Sequence, residues 1–260
     1  MYFLHKKTNV YYTSLGKGKV IVLLHGFLEN STMWTKIANN LSKKYRVICI
    51  DLLGHGKTEN HGYIHTMEDQ ANMVKAVLTY LHLRKYILVG HSMGGYVSLA
   101  FTHLFPKTVK GLCLMNSTAL PDSKEKKQNR NRAIEAVKQN HKTFVKIAIP
   151  MLFSKENSKI FTSEIQQITE EALKMSPQGI VASLEGMKIR KNYISLYKNN
   201  LFPIQLIIGK QDSALDYTSL IKQTKNTKVN VVEFPDGHMS YIENRKEVTA
   251  FLISFIKMCN

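Results

Sequence analysis

The sequence predicts an α/β fold: a mostly parallel, twisted sheet with flanking helices and an inserted helical cap. Three observations carry that prediction. Short, wholly apolar runs recur along the chain, segments of helical periodicity separate them, and from 121 to 200 the strand pattern stops while the helical one continues. At 260 residues and 44% apolar content the chain can bury one sizeable core.

Taken in order, Asn9 to Ser14 reads as an outer strand that turns through Leu15-Gly16-Lys17-Gly18 into Val20-Ile21-Val22-Leu23-Leu24. That run is apolar at every position, as a strand covered on both faces must be. Ser31 to Leu41 then places Trp34, Ile37 and Leu41 on one helical face, and Arg46 to Ile50 is a second buried strand. Thr66 caps a helix in which Met67, Ala71, Val74, Val77, Leu78 and Leu81 recur at helical spacing, with Asp69 in the first turn. Tyr86 to Val89 and Leu112 to Met115 repeat the strand type around a helix from Gly95 to Leu104. After the helical stretch come strands at Ile204–Ile208 and Val229–Phe234 and a last helix near Arg245–Met258. Strands and helices alternating at short spacing give parallel neighbours with right-handed crossovers.

Within 121–200 the apolar residues are spaced helically, as in Ala133, Ile134, Val137, Phe144 and Ile147, and Pro150 and Pro177 interrupt them. The division expected is a core of 1–120 and 201–260 with a cap, or lid, of 121–200.

Composition excludes several classes. Three cysteines do not make a disulfide scaffold, no apolar run reaches the ~18 residues of a membrane span, and Lys6 and Lys7 follow the first residues where a secretory signal would be apolar. The default is a cytoplasmic protein with reduced thiols. A formal net charge of +17 would suit an acidic partner. The basic residues are scattered lysines with no arginine block or zinc pattern, which reads as a solvated surface without nucleic-acid binding.

The chemistry concentrates after the strand ending at Val89, in Gly90-His91-Ser92-Met93-Gly94. A G-x-S-x-G turn between strand and helix holds its serine in strained geometry with the oxygen exposed, and a Cβ on Gly90 or Gly94 would strike a neighbouring element. A serine needs a base. His238 follows a strand on Pro235-Asp236-Gly237 and leaves the same sheet edge as Ser92, whereas His91 points the wrong way out of the turn. Asp212, just past Ile204–Ile208, is the acid that orients the base. Asp216 is its nearest rival and reads as a turn or helix-start residue, and Asn116 stands where some related enzymes carry the acid. In Leu24-His25-Gly26-Phe27 the backbone N–H of Phe27 is expected to face that of Met93, making an oxyanion hole. His25, Trp34, Phe144, Met151 and Met187 are candidate substrate contacts. Neither a metal nor an organic cofactor is required.

With these residues assembled, the chain resembles the α/β-hydrolase fold superfamily, in its serine esterase-like branch. The resemblance runs through His25-Gly26-Phe27, Asp51 to Thr58, Gly90 to Gly95, Gly209-Lys210-Gln211-Asp212 and Gly237-His238. It implies an eight-stranded sheet with a helical cap after the sixth strand. Ser92 stands where dehalogenases and epoxide hydrolases carry aspartate. Tyr96 stands where the menaquinone-pathway synthase branch has arginine.

The expected function is hydrolysis of small or medium carboxylic esters through Ser92, His238 and Asp212 and an acyl-enzyme. Alternatives are a thioesterase, a carbon–carbon bond hydrolase, or a carrier-protein methyl esterase. The last would dock an acidic acyl-carrier protein on Lys124, Lys126, Lys127, Arg130 and Arg132. A ligand-binding protein with a hydrolase fold is the non-enzymatic alternative.

Overall fold

The structure, a computed structural model, describes residues 1–199 and 201–259; the expected core–cap boundary at 200 lies outside them. Eight strands form one sheet: β1 (Tyr2–His5), β2 (Thr8–Leu15), β3 (Val20–Leu24), β4 (Arg46–Ile50), β5 (Tyr86–His91), β6 (Val109–Met115), β7 (Ile204–Gly209) and β8 (Asn230–Phe234). Their order is β1-β2-β4-β3-β5-β6-β7-β8. The pair β1–β2 and the pair β2–β4 are antiparallel, and every pairing from β4 to β8 is parallel.

Strand β1 is the one the sequence reading missed. Its four residues alternate between exposed and half-buried, and it joins β2 through Lys6 and Lys7, both at positive φ (46° and 67°). Tight hairpins with that backbone normally announce themselves with Asn-Gly or Asp-Gly, so a Lys-Lys pair hides the turn.

The helices are α1 (Thr35–Leu41), α2 (Met67–Tyr80), α3 (Met93–Leu104), α4 (Lys124–Ala148), α5 (Asn157–Ile160), α6 (Thr162–Ala172), α7 (Pro177–Lys188), α8 (Ser195–Lys198), α9 (Tyr217–Thr224), α10 (Ser240–Glu243) and α11 (Arg245–Met258). Alternation along the strands sorts them into two layers. Val22, Leu24, Ile48 and Leu88 pack with α2, α3 and α9. Ile21, Leu23, Val47 and Val89 pack on the other face with Ile37 and Leu41 of α1 and Val248, Leu252 and Phe255 of α11. The Thr66 hydroxyl accepts from Asp69 N–H at 3.0 Å, the cap expected for α2.

Helices α4 to α8 all fall between β6 and β7. Ser123 caps α4, accepting from Lys126 N–H, and Ser176 caps α7 with Pro177 in its first position, where a missing N–H costs nothing. At Asn140 the backbone leaves helical geometry (φ −159°, ψ 90°), and the Asn140 side chain caps the second half by accepting from Thr143 N–H. Cys49, Cys113 and Cys259 are buried and unpaired, and burial pushes the Cys49 thiol up to about 12. Among the described residues no helix is long and apolar enough to cross a membrane.

Candidate active site

Parallel strands place their following loops on one edge of the sheet, and three of those loops build the site. At the end of β5, Ser92 sits at φ 49°, ψ −114°, a backbone region that a residue with a Cβ enters at a cost of about 1–3 kcal/mol. The turn is over-determined. Ser92 N–H donates to Met115 O on β6 at 2.9 Å, and its carbonyl accepts from Gly95 N–H at 2.9 Å and Ser117 Oγ at 2.9 Å. A Cβ on Gly90 would run into the Gly94 backbone, and one on Gly94 into the carbonyl of Leu24, so both positions admit only glycine. Helix α3 starts at Met93, so its positive end lies against Ser92.

After β7, Asp212 is fully buried at its side chain. Its Oδ1 accepts from the N–H groups of Ala214 (2.8 Å) and Leu215 (3.0 Å), and its Oδ2 from His238 Nδ1 (2.7 Å) and Asn116 Nδ2 (3.2 Å). Burial raises the Asp212 carboxyl, but the His238 imidazole and these donors outweigh it and hold the group below its ordinary value. The rival Asp216 instead caps α9, accepting from Ser219 N–H. After β8, His238 is anchored by its own backbone: its N–H donates to Leu152 O at 2.8 Å, and its carbonyl accepts from His91 Nε2 at 3.0 Å. With Nδ1 committed to Asp212, Nε2 is the ring nitrogen left for other chemistry.

Ser92 and His238 line one cavity of about 140 Å³ together with Phe27, Tyr96 and Met187. Lys126 and Arg130 of α4 line it as well. The N–H groups of Phe27 and Met93, the latter the first of α3, carry no partner among the described residues.

Of the other expected contacts, only Met187 is among the residues lining this cavity. His25 is fully buried: its Nε2 accepts from Leu52 N–H at 2.8 Å, so its proton is on Nδ1 and donates to Gly26 O. It fixes the turn after β3 rather than touching the cavity. Trp34 is buried on the opposite face, 6.1 Å from the Tyr241 ring, because the short helix Ser31–Trp34 turns it into that core. Phe144 packs against the core beneath α4, and Met151 is 64% exposed, its place on the 3₁₀ turn Pro150–Leu152 pointing it outward. Neither is among the residues lining the cavity.

His91 also lines the cavity, with both ring nitrogens engaged, and what it meets was not read from the sequence. Its Nδ1 lies 2.8 Å from Glu29 Oε2 and its Nε2 3.0 Å from the His238 carbonyl. A carbonyl only accepts, and Glu29 already accepts from Gly26 N–H (2.7 Å) and Tyr241 Oη (2.9 Å). Both ring nitrogens thus face acceptors, an arrangement that favours the imidazolium–carboxylate form of the pair. Burial works against each charge. The Glu29 carboxylate nonetheless raises His91, and His91 with Tyr241 lowers Glu29. No local pattern marks this pair, since its members are 62 positions apart. Lys126 and Arg130 had a readable signal: they share the i, i+4, i+8 face of α4 with Ile134, a core residue.

The model of the alpha/beta hydrolase fold family matches residues 19–245. The chain belongs to the α/β hydrolase family. Among curated relatives, human monoacylglycerol lipase ABHD6 is 27% identical across 91% of this chain and 74% of its own length. A thermophilic esterase from Thermogutta terrifontis, solved with malate bound, superposes with a TM-score of 0.88 at 28% identity, covering 97% of this chain and 95% of that one. The enol-lactonase of Burkholderia xenovorans shares the fold at a TM-score of 0.91 and 21% identity over 99% and 100% of the two chains. This α/β hydrolase therefore has a lipase and an esterase among the proteins it resembles.

Proposed function

We propose that this α/β hydrolase is a serine esterase that cleaves small carboxylic esters through Ser92, His238 and Asp212. One observation carries the reading. Ser92, held at positive φ, opens on the same cavity as His238, whose other ring nitrogen is tied to buried Asp212 at 2.7 Å.

The chemistry follows from that arrangement. His238 Nε2 takes the Ser92 hydroxyl proton as Oγ bonds to the ester carbonyl carbon, and the carbonyl π pair moves onto oxygen. The N–H groups of Phe27 and Met93 receive that oxyanion, and α3 adds its positive end. Collapse breaks the bond to the alcohol oxygen, which leaves with the proton from Nε2. A water then gives a proton to Nε2 and adds to the acyl carbon. The acid departs, and the proton returns to Ser92. Asp212 stays ionised throughout, holding the ring and stabilising its charge. The segment from α4 to α8 acts as the cap, since Lys126, Arg130, Ala148, Leu152 and Met187 line the same cavity as Ser92 and His238. A space of about 140 Å³ matches a group of roughly benzene's bulk, so short acyl chains are preferred.

Labelling with a fluorophosphonate and hydrolysis of p-nitrophenyl esters of increasing length test this. Wild type is expected to label and to favour short chains, and Ser92→Ala is expected to lose the label and about 10⁶-fold in kcat. A Ser92→Ala protein that still labels and turns over the esters overturns the assignment.

A further inference from the structure

Two of the basic residues on α4 are not spent on the outer surface. Lys126 and Arg130 are half-buried on the face that lines the Ser92 cavity, while Lys124, Lys127 and Arg132 are exposed. Arg130 is positioned by Asp122, a buried carboxylate that takes its Nε and, at 3.4 Å, its Nη2. Asp122 is shared. Arg190 also donates to it, lies 4.1 Å over the Tyr96 ring, and spends further donors on the carbonyls of Leu120 and Met187. Two guanidinium groups therefore face one carboxylate. Arg130 keeps three of its five N–H donors, two on Nη1 and one on Nη2.

Lys126 is less compensated still. Its Nζ donates to the carbonyl of Ala214, a neutral group two residues past Asp212, and makes no ion pair among the described residues. Two ammonium donors remain. The acidic side chain lining this cavity, Glu29, is already matched by His91. A half-buried cation without a counter-ion beside a reactive serine is a charge that a ligand can complete.

We infer that the substrate carries a carboxylate a few bonds from its scissile ester, held by Lys126 and Arg130, as in a half-ester of a short dicarboxylic acid. This rests on the esterase reading and names its substrate class. The small cavity limits how far the two groups are separated. Lys126, through its bond to the chain just after Asp212, keeps the anion on the Ser92–His238 side of α4.

The test uses three methyl esters of matched length followed in a pH-stat: monomethyl glutarate, methyl valerate and methyl γ-aminobutyrate, carrying −1, 0 and +1. Wild type is expected to prefer the anionic ester over the neutral one in kcat/KM by about ten- to hundredfold, and to disfavour the cationic one. Lys126→Met, which keeps the apolar stem, is expected to collapse that ratio. Comparable kcat/KM for the anionic and neutral esters in wild type, or a ratio unchanged in Lys126→Met, overturns the anion site. A binding measurement separates this from failure of the esterase reading. Glutarate is expected to raise the thermal midpoint of Ser92→Ala but not of Ser92→Ala/Lys126→Met. If no ester is cleaved yet glutarate stabilises in that Lys126-dependent way, the anion site stands and the esterase reading falls. If glutarate has no effect on Ser92→Ala, the site is refuted even where esters are cleaved.

Discussion

Asn116 shows how one atom bears on which carboxylate holds the His238 ring. It follows β6 at φ 46°, a left-handed conformation that Asn and Asp tolerate better than other side chains, and donates to both Asp212 Oδ2 and the Gly237 carbonyl at 3.2 Å. As an amide it supports the carboxylate; as an acid it would compete with it. Asp212→Asn is expected to lower kcat by about 10⁴-fold, since the ring then loses the acceptor that sets its tautomer. Adding Asn116→Asp returns a carboxylate to the same side of His238 and is expected to recover at least about tenfold of that loss. Steady-state rates of the wild type, both single variants and the double variant decide it, and a double variant no faster than Asp212→Asn alone refutes the exchange. Sequence proximity to strand ends singled out Ser92, Asp212 and His238 as candidates. It could not show that Asn116 touches the acid, because that contact spans 96 positions.

At the scale of elements, the His91–Glu29 pair ties together the turn after β3, the elbow after β5 and the loop after β8. Each member is worth most where both are charged. His91 is raised above its ordinary 6.5, so its contribution is complete below that value and fades as pH climbs through its own higher one. Glu29 is lowered, so its contribution is present above the ordinary carboxylate range and fades as pH falls through its own. His91→Leu leaves a buried carboxylate unpaired and is expected to cost about 3–5 kcal/mol near neutral pH. Urea midpoints of both proteins across pH should show the wild-type advantage shrinking toward both extremes. A constant difference would mean that the pair is not ionised. The strands and long helices were readable because two-face burial leaves unbroken apolar runs and one-face burial leaves a period near four. β1 was not, being a short edge strand behind an unmarked turn.

For the whole molecule, the question is what fastens helices α4 to α8 to the sheet. Arg190, near the end of that segment, and Asp122, at its start, meet in a buried pair that also stacks on Tyr96 of α3. Burial opposes the Asp122 charge, but Arg130 and Arg190 hold its carboxyl below the ordinary value. Arg190→Met keeps much of the bulk and is expected to cost about 1–3 kcal/mol: Asp122 keeps Arg130, but it and the carbonyls of Leu120 and Met187 lose the donors of Arg190. Chemical denaturation measures this, and a loss below about 1 kcal/mol would show that apolar packing alone fastens the segment. The formal net charge of +17 is a sum over scattered sites. Its sign on the outer surface says little about the two cations turned inward on α4.

Periodicity and turn chemistry are local, and they carried the order of strands and helices, the helical interruption between β6 and β7, and the strained serine turn with glycine on either side. Partnership is not local. Which carboxylate meets His91, what Asn116 donates to, and where Lys126 and Arg130 end up depend on segments far apart in the chain packing at one sheet edge. A buried charge selects its counter-ion by proximity in space, and that proximity exists only once the sheet has folded.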